Sequence, residues 1–193
     1  MRYDSTTRRI HAGFAFFIVM ALLLSLVMRA PKPDKVITAL EAQSFQLHRM
    51  VGGVVFILLL IQWGWALSGH LPNGIGHLFP WTSKDRLKQV VEDMQPLLRL
   101  KIRDLPQKSA LAGAVHGLGL IVATLMASTG LVLFFGISPD GRMTPPVHLI
   151  KELHEFMATF IWIYLVGHVS MGVLHQYIGH HTLSEMFNLT RKD

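Results

Sequence analysis

The chain has 193 residues, 51% of them hydrophobic and only 16% charged, with a formal net charge of +6. Soluble domains carry about 25% charged residues, so composition points to a membrane protein before any segment is inspected. The absence of cysteine excludes iron–sulfur clusters, thiolate zinc sites, disulfides and covalently attached c-type haem. The positive charge is scattered over short loops, not gathered into the aromatic-interleaved stripe that nucleic-acid binding needs.

Four apolar segments reach the length of about 17–25 residues that a spanning helix requires. The first covers about residues 8–29 and follows Arg8-Arg9. A secretory or twin-arginine signal is its rival reading, but Ser25-Leu26-Val27-Met28-Arg29 offers no small-x-small cleavage site, which favours a retained helix. The second covers about residues 45–68. The connection that follows, about residues 70–108, is more than a linker. From Ser83 onward, Leu87, Val90, Val91, Met94, Leu97 and Leu98 recur at helical spacing among Lys84, Asp85, Lys88 and Glu92. Ser83 suits the N-cap, and Pro96 should kink or end this helix. Its apolar side fits either the inner membrane surface or a cytoplasmic partner. The third segment covers about residues 109–136 and the fourth about 152–178.

Residues 1–193 therefore read as a single all-α membrane domain, a four-helix bundle with an amphipathic helix between helices two and three. Lys and Arg set its topology. The N-terminal tail, the long connection and the C-terminal tail hold 12 of them, and the two other connections hold six. The positive-inside rule then puts both termini and the long connection in the cytoplasm of a multi-pass bacterial inner-membrane protein.

Ionisable side chains are costly inside a span, so histidines there are candidate functional groups. His154 and His168 stand 14 residues apart in the fourth segment. That interval rises about 21 Å and returns within about 40° of the same helix face. His168 lies 17 residues past Lys151, and His11 lies 18 residues before Arg29, so both sit about 25–27 Å from the outer ends of their helices. His48 and His154 both lie near outer ends. The pairs His11–His168 and His48–His154 thus match at two depths, as bis-histidine ligation of two stacked haems requires. His116 would lie about 31 Å inward and is an alternative to His11. His175 is deeper still. His70, His77, His148, His180 and His181 read as solvated loop or tail residues. Methionine could also ligate haem, but a methionine in an apolar helix reads as packing. Arg8, Arg9 and Arg49 stand beside the candidate ligands, where they could meet haem propionates or anchor helix ends at the interface. Glycines such as Gly13, Gly52, Gly53, Gly130 and Gly167 would admit a flat macrocycle or a close helix neighbour.

These features resemble the prokaryotic four-helix di-haem cytochromes b, the b561-type group that includes cytochrome b subunits of Ni,Fe-hydrogenases and formate dehydrogenases. The residues that carry the likeness are Arg9-Ile10-His11, Leu47-His48-Arg49-Met50-Val51-Gly52, Thr129-Gly130-Leu131, Leu153-His154-Glu155 and Gly167-His168. The resemblance implies two non-covalent b haems, held by His11 with His168 on the cytoplasmic side and by His48 with His154 on the outer side. It implies electron transfer between the quinone pool and a partner subunit, soluble carrier or small donor. A bound quinone is also implied, with His175 as a neighbour of its site. Formate-dehydrogenase-type members use an asparagine near the start of helix three, where this chain has Ser109. One subgroup acts alone as a superoxide:quinone oxidoreductase, but with a shorter connection between helices two and three. A histidine-lined metal transporter is the alternative from another class, and it would call for acidic partners inside the helices, of which residues 50–83, 109–139 and 156–184 hold none.

Overall fold

The computed structural model describes residues 4–33, 35–71, 74–99, 109–179 and 182–187. Arg2, Lys101, Arg103, Lys108, Arg191 and Lys192, which entered the charge count, lie outside these residues, as do His180 and His181. Among the described residues six α-helices follow in order: α1 (Ser5–Val27), α2 (Ala39–Leu67), α3 (Lys84–Leu98), α4 (Ala110–Gly136), α5 (Pro145–Tyr177) and α6 (Thr182–Phe187). Among the described residues the only β-type pairing is one isolated bridge between Lys32 and Lys35. The fold is all-α, as expected.

Helices α1, α2, α4 and α5 are each long and apolar enough to cross a membrane. Large apolar side chains stay exposed along all four, among them Leu23, Ile57, Leu125 and Ile163. In water such a surface would be untenable. In lipid it costs nothing, and the helix satisfies its own backbone hydrogen bonds. The amphipathic helix expected in the long connection is α3, which ends two residues after Pro96. Ser83 occupies its N-cap with extended backbone but makes no side-chain capping bond.

Capping explains why three helices begin ahead of their apolar runs. Asp4 accepts the backbone N–H of Thr7 at 2.9 Å and its hydroxyl at 2.6 Å, so α1 starts at Ser5. Partial burial opposes the Asp4 charge, but the bonds from Thr7 outweigh it and hold the carboxyl below its ordinary value. Thr38 and Glu41 form a capping box. The Glu41 carboxylate accepts the Thr38 N–H at 2.8 Å, and the Thr38 hydroxyl accepts the Glu41 N–H at 3.3 Å. Glu41 also pairs with Arg29 at 2.6 Å, and α2 therefore starts at Ala39. Helix α5 opens on Pro145-Pro146, where the missing N–H groups cost no intrahelical bond.

Compactness divides the chain into two units. The first comprises Met1–Ile10, Ile61–Ile121 and Ile163–Asp193. In it the segment from Ile75 to Thr82 lies directly against α4. A Cβ on Gly117 would stand 1.7 Å from the Leu78 carbonyl oxygen, and one on Gly113 would stand 2.2 Å from that of His77. Only glycine permits that approach. Trp63 stacks on Phe79 at 5.9 Å, and the Trp65 indole donates to Thr7 at 3.1 Å. The Ser109 hydroxyl donates to Asp93 at 2.8 Å while accepting the Ala112 N–H, and Asp93 also accepts the Leu111 N–H. Asp93 of α3 thereby completes the cap of α4. The second unit comprises His11–Leu60 and Val122–Trp162, with Phe45, Val51, Val55, Leu59 and Ile161 buried in it.

Replacing Asp4 with Ala should cost about 1 kcal/mol of stability, and Asn should recover most of it. Thermal denaturation in detergent reads both. The carboxylate's contribution should be complete above its ordinary value of 3.8 and fade as pH falls through the lowered folded value.

Candidate functional site

The most complete arrangement of candidate side chains lies in the second unit, where α2 presents His48 and α5 presents His154. Their ring centroids are 6.5 Å apart, with planes at 89°. Each ring is oriented by its Nδ1. His48 Nδ1 is 2.9 Å from the Ala21 carbonyl oxygen, which can only accept, so this nitrogen carries the proton. His154 Nδ1 is 2.9 Å from the Thr129 hydroxyl, whose own hydrogen points to the carbonyls of Leu125 and Met126, both at 2.9 Å. With its hydrogen committed, that oxygen accepts from His154. Both Nε2 atoms are left as lone-pair donors.

The separation fits a shared metal. Two imidazoles bound on opposite sides of one ion, with bonds of about 2 Å, have ring centres about 6 Å apart. A donor set of two neutral imidazoles, each with Nδ1–H anchored by an oxygen, is what haem iron takes from a protein. Space beside the pair suits a flat group. Gly52 stands one turn after His48, and a Cβ there would meet nothing within 4 Å. Gly130 serves His154 itself, since a Cβ would sit 3.1 Å from the ring.

His168 lies in the first unit. Its ring stacks on Tyr164 at 5.4 Å with an interplanar angle of 11°, and the edge-on neighbour is His116 at 5.3 Å. His116 Nδ1 donates to the Ala112 carbonyl at 2.7 Å. The ring beside His168 in this unit is therefore His116, the alternative weighed in the sequence, whereas His11 is half-buried on α1 in the second unit. The His116–His168 separation is about 1 Å shorter than a metal between the rings needs. Gly119 gives Tyr164 its place, because a Cβ there would stand 2.4 Å from the Tyr164 hydroxyl. A Cβ on Gly167 or Gly13 would meet nothing within 4 Å.

The remaining candidates are placed as follows. Arg49 donates to the Phe134 carbonyl at 2.6 Å and lies over the Phe134 ring at 4.6 Å, so it caps the last turn of α4. Arg9 is exposed, while Arg8 is buried and donates to Ser5. His175 is half-buried in the last turn of α5. His77 is partly buried, not solvated. Burial and the positive potential of His116 and Arg86 hold it below the usual imidazole range. Tyr164 and the Ala21 carbonyl carried no sequence signal of their roles, and Thr129 entered only through the Thr129-Gly130-Leu131 likeness. Among the described residues, no group of three or more His, Asp or Glu side chains gathers as a metal site.

A family model described as prokaryotic cytochrome b561 matches residues 2–189 of the chain. No match was found among curated proteins or among solved structures.

Replacing Thr129 with Val should remove the hydroxyl acceptor of His154 Nδ1–H, leaving only the Met126 carbonyl beside it, and cost about 1 kcal/mol, whereas Thr129→Ser should be close to neutral. Thermal denaturation measures the cost. Imidazole nitrogen chemical shifts should show a mixture of His154 tautomers in the valine variant alone.

Proposed function

Starting from the membership of this chain in the prokaryotic cytochrome b561 family, multi-pass membrane proteins that transfer electrons through haem b, we propose that it holds two b haems and passes electrons between the quinone pool and a partner or small donor. His48 and His154 would together hold one haem through their Nε2 atoms, and the 6.5 Å between their rings is the observation that carries the reading. His168 is a ligand of the other, with His11 as its partner at matching depth. His116, whose ring lies 5.3 Å from that of His168, is the alternative partner.

Bound haem b supplies a one-electron iron couple, and the chain's own groups set the conditions under which it works. The Ala21 carbonyl and Thr129 hydroxyl draw on the Nδ1–H bonds of His48 and His154. That makes each Nε2 more basic and holds its ring plane. Rigid ligands that stay put when the charge on the metal changes keep the cost of reorganisation low. The surrounding apolar helices exclude water and disfavour net charge, which ties the potential to the ligand set. Three oriented rings, those of Tyr164, His168 and His116, line the second site. The proposed topology puts both termini and the long connection in the cytoplasm of a bacterial inner membrane, with the His48–His154 pair near the outer face.

A pyridine haemochrome assay on the purified protein should count two b haems per chain. His48→Ala and His154→Ala should each remove the same haem, and His11→Ala and His168→Ala the other. His116→Ala should keep both. Loss of a haem from His116→Ala but not from His11→Ala would reverse the second assignment, and four unchanged spectra would end the proposal.

A further inference from the structure

Helix α3 has three distinct sides, and their order around its axis identifies what covers the exposed one. At about 100° per residue, Leu87, Val91, Met94 and Leu98 fall within a sector of about 60°. All four are open, at 47%, 46%, 38% and 75% exposure. About 90° to one side stand Arg86, Val90, Asp93 and Leu97. This is the side held by protein. The Arg86 guanidinium lies where a Gly76 side chain would be, Asp93 bonds Ser109 and the Leu111 N–H, and Val90 and Leu97 are half-buried. About 90° to the other side stand Lys88, Glu92, Gln95 and Arg99, all exposed.

A partner settling on α3 from the aqueous side would meet the sector opposite the protein-held one. That sector carries Lys88 and Gln95, not the apolar stripe. The stripe lies at right angles to both, as it must where protein, lipid and water meet. Asp93 fixes the level of α3, because its partners Ser109 and Leu111 lie immediately before and in the first turn of α4, the point at which a spanning helix enters the bilayer. Lys84, at the border between stripe and charged side, can extend its ammonium to water while its stem follows the apolar surface. Trp81, exposed just before α3, is of the type that settles at headgroup depth. We propose that α3 lies in the plane of the membrane with Leu87, Val91, Met94 and Leu98 inserted at the boundary between headgroups and acyl chains. Residues 75–98 thereby form a membrane-seated segment tied to the start of α4.

The chain has no cysteine, so single-site labelling is free of background. Spin labels would be placed at Val91→Cys, Met94→Cys, Glu92→Cys and Gln95→Cys in the haem-loaded protein in phospholipid nanodiscs, with an unchanged haem spectrum certifying each fold. Labels at 91 and 94 should be relaxed more by oxygen than by a water-soluble nickel chelate, and those at 92 and 95 the reverse. Chelate access at 91 and 94 equal to that at 92 would show the stripe facing water and overturn the inference. Shielding from both relaxants would assign the stripe to a protein neighbour or a second copy, and would overturn it equally.

Discussion

The hydrogen bond from each histidine Nδ1 is the constraint on which the candidate site depends. An imidazole in a spanning helix has two nitrogens and one proton, and only the tautomer protonated at Nδ1 offers Nε2 to a metal. The Ala21 carbonyl makes that choice for His48 absolutely, since it has no hydrogen to give. Thr129 makes it for His154 only because its hydroxyl hydrogen is already directed to its own helix. The same bonds meet the cost of placing a polar ring in an apolar setting. Position and chemical state are thus settled together, before any ligand arrives.

Glycine has two opposite uses in this chain. At Gly113 and Gly117 it lets the backbone of the long connection press on α4, closer than any side chain would allow. At Gly52 and Gly167 it stands beside histidines with open space in front of it. The first use fixes a loop, and the second keeps room for a planar group. Sequence alone cannot separate them, because both look like small residues in an apolar helix.

Residues 75–98 of the long connection are tied down by specific contacts. Leu78 and His77 rest on the glycines of α4, Phe79 stacks on Trp63, and Asp93 completes the cap of α4. Each contact joins the connection to a spanning helix near its cytoplasmic end in the proposed topology. The connection also brings His77 and Arg86 into electrostatic reach of each other.

The amino-acid order by itself determined the class of this protein: four apolar runs, an amphipathic segment between the second and third, and histidines within those runs. Those features are one-dimensional, set by hydropathy and by a fixed rise per residue, so counting recovers them. Helix starts were less legible, because Asp4 and the Thr38–Glu41 box act through side-chain bonds upstream of the apolar run. Only the tertiary structure decided which ring stands beside which. Depth estimates put His11 level with His168 and His116 about a turn beyond. The contact of His116 with His168, the Tyr164 stack and the acceptors of both Nδ1 atoms in the His48–His154 pair depend on how helix faces meet, which no periodicity encodes.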